Sequence, residues 1–224
     1  VNVFRYVVRR DVLRMRWLAP TVLFLIVVSS FLPYSAPLGG SLGILLIAAL
    51  ILSGWMSVVS IAGDDPGQKT VVAVQAGGLI RARLEEAAAA LVVAVGFGWV
   101  GLVVAALRAV DVPVTTELAT RLAFAAGALL LVSLIGVSAG FALAWPVLER
   151  TPLAVTAVSV GCLILVVLPV SPVHGMLVCA AGIDQSVQVS QVVAVTAGSI
   201  VVSGALTFIG GYASPRRWRL GRQE

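Results

Sequence analysis

Of 224 residues, 60% are hydrophobic and only 11% charged, and the mean hydropathy is +1.08. A soluble domain of this length cannot enclose that much apolar surface in one core, so the chain reads as a multi-spanning membrane protein. The net charge of +5 gathers in segments that would share one side of a membrane. It therefore reports topology and a basic lipid-facing rim, and not nucleic-acid binding.

In chain order, residues 3–17 read as a helix with Phe4, Val7, Val8 and Met15 on one side and Arg5, Arg9 and Arg16 on the other. Asp11 and Arg14 intrude on the apolar side but can pair at i, i+3. Such a helix is expected to lie in the inner interface. Six apolar runs follow, at 17–32, 41–62, 87–107, 122–145, 153–168 and 192–212. Most are near the roughly 20 residues that a helix needs to cross hydrocarbon, and the first and fifth are short. No small-residue cleavage pattern follows the first run, which is expected to stay in the protein.

Pro20 sits at the head of the first run, where its missing N–H costs least. Pro33, Pro37 and Gly39-Gly40 close a short outer turn, so spans one and two form a tight hairpin. The inner connection 63–86 is longer and has structure of its own. Asp65 can cap, Pro66 suits a first helical position, and Gln68 stands where a capping box wants it. A short helix from Pro66 to about Gln75 is predicted, ended by Gly77-Gly78. Beyond it, Leu79, Ile80 and Leu84 interleave with Arg81, Arg83, Glu85 and Glu86, as at a helix surfacing through the inner headgroups before it becomes span three.

Arg108, Asp111, Pro113, Glu117 and Arg121 make a compact outer loop, and residues 146–152 a brief inner turn with Glu149 and Arg150. After span five, Pro169, Ser171 and Pro172 break the helix. Residues 175–181 are apolar but rise only about 10 Å as a helix, too little to cross. Gly182, Asp184, Gln185, Ser186, Gln188 and Gln191 then turn polar. This segment is expected to dip into the outer leaflet and return, with protein or water satisfying its backbone. Cys162 in span five and Cys179 in the outer segment read as separate packing thiols.

With both termini inside, the inner set of basic residues is Arg5, Arg9, Arg10, Arg14, Arg16, Lys69, Arg81, Arg83, Arg150, Arg216, Arg217, Arg219 and Arg222, leaving only Arg108 and Arg121 outside. That asymmetry sets the orientation. The chain is read as one domain, 1–224: an interfacial helix over 1–16, a six-span bundle over 17–213 and a basic cytoplasmic tail over 214–224. The arginine preference and the Ala, Val and Gly richness suit a GC-rich bacterial genome, hence an inner cell membrane.

The chemistry on offer is limited. Ion-driven transporters place an acid, histidine or lysine at membrane depth, and no charged residue is expected well inside any span. There is no P-loop, because Gln68 separates Gly67 from Lys69, the only lysine. If nucleotide drives this protein, another chain binds it. Gly136, Ser138 and Gly140 spell G-x-S-x-G in span four, and His174 is the only histidine. A rhomboid-like intramembrane serine protease is the enzyme reading of that pair. Ser138 would lie about 25 Å below the outer end of its helix while His174 follows the outer end of span five, so the two should not meet. Gly127, Gly136, Ser138, Ala139 and Gly140 are better explained as helix-packing surface. A membrane scaffold without transport is the third reading.

The order of these parts resembles the permease subunits of ABC-2-type exporters, the type V exporter fold. The resemblance rests on the basic helix before span one, the capped inner helix from Asp65 to Gln75, and the broken outer segment 169–191. It implies that the inner helix is a coupling helix docking into a cytosolic ATPase through Asp65, Pro66, Gln68, Lys69, Thr70 and Gln75. Pro169, Pro172, His174 and Asp184 would belong to the outer gate. The pathway would run along spans one, two and five, where Thr21, Ser29, Ser30, Ser53, Ser57, Thr156 and Ser159 supply the hydrogen bonds. It further implies two ATPase subunits carrying ATP and Mg, no cofactor on this chain, a second permease subunit identical or homologous to it, and a hydrophobic or amphiphilic cargo. Haem- and cytochrome-maturation permeases of the same superfamily have similar length and six spans, so the resemblance does not separate these branches.

Overall fold

The computed structural model describes residue 6 and residues 17–31, 38–62, 66–108, 116–144, 148, 150–181 and 189–220. Apart from Tyr6, the expected interfacial helix over 1–16 lies outside the described residues. So do Asp65, Asp111, Asp184 and the polar stretch 182–188. From residue 17 onward the described residues form eight helices: α1 Leu18–Phe31, α2 Leu38–Ala62, α3 Pro66–Ala76, α4 Leu79–Arg108, α5 Thr116–Leu143, α6 Thr151–Val167, α7 Pro172–Ala181 and α8 Val189–Leu220. All the regular structure among the described residues is helical, as suits a polytopic membrane protein. Four helices, α2, α4, α5 and α8, are long and apolar enough to cross a membrane, and α6 with α7 make a fifth if the bent pair is one span. At 14 residues, α1 rises only about 21 Å, against a hydrocarbon core of about 30 Å.

The middle of the bundle is α2, which packs on α1, α4, α5, α6 and α7 and most extensively on α5. Small residues make the α2–α5 crossing close. A Cβ on Gly140 would stand 2.6 Å from the Gly54 carbonyl oxygen, and one on Gly136 would run into Ser53 and the Leu50 backbone. Between lipid-solvated helices, area burial alone gives no drive, and close backbone packing of this kind supplies the attraction. The Ser57 hydroxyl adds a bond to the Val137 carbonyl at 3.1 Å. Leu45, Leu46, Ala49, Leu50 and Met56 of α2 meet Leu129, Val132 and Ile135 of α5 in the same apolar core.

Two joints depart from straight helix. Between α3 and α4, the Gly78 N–H donates to the Ala73 carbonyl at 2.8 Å and the Gly77 N–H to Val74 at 3.2 Å. That pair of bonds is a Schellman stop. It needs Gly77 at φ 80° and Gly78 at φ 149°, values that a Cβ disfavours. Between α6 and α7 the axis turns by 59°. Leu168 is extended, Ser171 accepts the Val173 N–H on its hydroxyl at 3.1 Å, and Pro172 takes the first position of α7. A serine cap followed by proline is a strong helix start, so the chain restarts here instead of fraying.

The helix that carries span three begins at Leu79, where good helix formers follow the Gly77-Gly78 stop at once. At the other end α8 runs on through Pro215 to Leu220, so the helix continues into the basic stretch.

Candidate functional site

The short helix α3 presents two unlike faces. Val72 and Ala76 are buried, and the helix packs on α4. On the other side Gln68, Thr70, Val71, Val74 and Gln75 are exposed, Val74 by 76%. Eleven residues with low overall apolarity cannot cross a bilayer. Two bare valines flanked by amides and a hydroxyl are therefore offered on a helix that does not span. Of the residues read as docking groups, Pro66 opens the helix, Lys69 lies within it and Asp65 falls outside the described residues.

Five residues past the glycine stop stands a group whose sequence position predicts a place among the headgroups. Arg83 is 2% exposed, and so is not the interfacial arginine that its position predicts. Its Nη2 donates to the Phe141 carbonyl and its Nη1 to the Gly210 carbonyl at 3.3 Å. Its guanidinium lies 4.4 Å from the centre of the Phe141 ring. The Phe141 carbonyl belongs to the last turn of α5, where intrahelical donors run out, and a cation there also meets the negative end of the helix dipole. Hydrogen bonds to a charged group contribute about 1.5–3 kcal/mol each. Buried Glu86, one turn along, supplies the opposite charge.

Room for this contact comes from glycine. A Cβ on Gly210 would stand 2.7 Å from the Phe141 ring and 2.9 Å from the Ala142 Cα, so α8 closes directly on the end of α5. The buried side of α4 is mostly small beyond Arg83 and Glu86, with Ala87, Ala90, Ala94, Gly98 and Gly101 on it beside the larger Val95 and Leu102. The signal that could have found the site is this spacing. The charged pair continues a stripe of small residues at helical period, which points inward and not toward headgroups.

The seven hydroxyls read as a pathway fall into three groups. Ser53 and Ser57 are fully buried at the α2–α5 crossing, bonded to the Leu50 and Val137 carbonyls. Ser29 and Ser30 are exposed on α1, with Thr21 half-buried two turns earlier. On α6, exposed Thr156 and half-buried Ser159 bond back to the Pro152 and Val155 carbonyls. An apolar cleft of about 190 Å³ opens between α1 and α2, lined by Leu23, Phe24, Val27, Ile47, Ile51 and Trp55 among others.

At the other end, His174 Nδ1 lies 3.0 Å from the Val166 carbonyl oxygen, spanning the bend between α6 and α7. Pro172 packs near Gly198 of α8, and Pro169 is exposed. A second apolar cleft of about 180 Å³ lies between α5, α7 and α8, with Met176, Cys179 and Thr196 on its wall. Ser138 of the G-x-S-x-G run lies 3.3 Å, hydroxyl to hydroxyl, from Thr207 of α8, so Ser138 and His174 have different partners. No group of three or more His, Cys, Asp or Glu side chains that could hold a metal occurs among the described residues.

No family model, curated protein or solved structure matches the chain, so a functional reading has to rest on these residues.

Proposed function

We propose that this chain is the membrane subunit of an ATP-driven exporter of the ABC-2 kind, worked from the cytosol by a separate ATPase that grips α3. The observation that carries this reading is the exposed pair Val71 and Val74 on a helix too short to cross a bilayer. The helix is joined to the bundle by a two-glycine stop. An exposed apolar pair of this kind fits a protein partner, and a helix stiff to its last turn can pass on that partner's movement.

In this reading α1, α2, α4, α5, α6 and α8 are six crossings, and α7 is the outer segment that enters and returns. Both termini are cytoplasmic in a bacterial inner membrane, as the arginine asymmetry favours. Two such chains and two ATPase subunits form the transporter, with ATP and Mg on the ATPases. Exposed Ser29, Ser30 and Thr156, on otherwise apolar faces, suit a hydrophobic or amphiphilic cargo. Ser53 and Ser57 then serve the α2–α5 crossing and not the cargo.

The test replaces Val71 and Val74 together by serine and follows retention of a P-loop ATPase through detergent extraction. The wild-type chain is expected to retain it, and the double variant to insert normally but lose it. Substrate-stimulated ATP hydrolysis persisting in the double variant would overturn the assignment.

A further inference from the structure

We infer that Arg83 is the positioning residue through which a displacement of α3 reaches α5 and α8. Three observations meet here. First, α3 and α4 are separated only by Gly77 and Gly78, and the Ala82 N–H bonds to the Gly78 carbonyl at 3.1 Å. The first turn of α4 is thus built directly on the stop. Second, Arg83 follows directly in the next turn and reaches two other helices at once, through the carbonyls of Phe141 on α5 and Gly210 on α8. Third, its setting permits little slack. It is 2% exposed, its guanidinium stacks on Phe141, and α8 approaches too closely for any Cβ at Gly210.

A rotation of α4 about the glycine joint therefore cannot leave α5 and α8 behind unless both charge-assisted bonds break. The Arg83 Nε is buried without a hydrogen-bond partner. A lysine could keep the charge, but its single ammonium lacks the planar fork that holds two carbonyls in fixed geometry.

This inference rests on the reading of α3 as the gripped lever, but its test uses no ATPase. Amide hydrogen exchange is measured on the full chain in lipid nanodiscs, at residues 139–144 and 205–212. Gly78→Ala perturbs the joint, since Gly78 has φ 149°. In the Arg83 background, Gly78→Ala is expected to raise exchange at both sites by about fivefold or more. In an Arg83→Met background, exchange there is already raised and Gly78→Ala adds less than about twofold. If Arg83→Met does not insert, Arg83→Lys is the second background, with the same loss of response expected.

A response to Gly78→Ala that is equally large with Arg83 replaced would overturn the inference, and so would no response in the Arg83 background. A merely structural Arg83 would raise exchange on its own but leave the response to Gly78→Ala intact. Loss of ATPase from the Val71 and Val74 variant is read in a separate experiment, so either reading can fail alone.

Discussion

The Trp17 indole N–H donates to the Ser60 hydroxyl at 2.9 Å, tying the head of α1 to the last turns of α2 across 43 positions of sequence. Both residues are buried. This bond closes the base of the α1–α2 hairpin, whose cleft opens further along. Trp17→Phe keeps most of the ring and loses the donor, and should cost about 1 kcal/mol. Trp17→Ala also removes the packing and should cost about 3–5 kcal/mol. Reversible unfolding in mixed micelles measures both.

The α2–α5 crossing offers a sharper contrast. Gly136 faces the Ser53 side chain and Leu50 backbone, whereas nothing lies within 4 Å of a Cβ built on Gly127 in the same helix. Gly136→Ala should destabilise the protein by about 1–3 kcal/mol or more, because backbone cannot step aside as a side chain can. Gly127→Ala should be neutral or stabilising, through helix propensity. Thermal inactivation of the purified variants separates them.

At the stop between α3 and α4, Gly77 has φ 80°. Gly77→Ala should cost about 1–2 kcal/mol and Gly77→Asn less, because asparagine tolerates the left-handed region better. The readout is limited proteolysis at residues 66–78, which should be faster in the alanine variant than in the asparagine one.

Much of this architecture is legible from local pattern. The apolar runs mark the long helices, and Pro66 with Gly77-Gly78 marks α3, because caps and stops are written in neighbouring residues. Ser171-Pro172 likewise marks the restart at α7. The placement of Arg83 is not legible there for the opposite reason. Its acceptors lie 58 and 127 positions away, and the space it occupies exists because Gly210 lets α8 close on Phe141. Counting arginines by side assigns a charge to a surface, but it cannot tell lipid headgroups from a three-helix pocket. Ser53 and Ser57 show the same limit, since a hydroxyl facing a neighbouring helix and one facing a pathway share one sequence pattern.

The bend between α6 and α7 carries the contact from His174 to the Val166 carbonyl. His174→Phe keeps a ring and removes that contact. With spin labels at exposed positions 163 and 178, in a background where Cys162 and Cys179 are alanine, the distance distribution should broaden and shift relative to His174. An unchanged distribution would assign the bend to Pro169 and Pro172 alone.

The side of the membrane on which α3 lies is the premise shared by every functional role given to it. Val74 is 76% exposed, while Cys162 and Cys179 are buried, so a cysteine placed at 74 is a clean reporter. Val74→Cys should resist a membrane-impermeant maleimide in intact cells and react in inverted vesicles, with protection when the ATPase is bound. Labelling from the outside of intact cells would contradict the cytoplasmic lever and the exporter built on it.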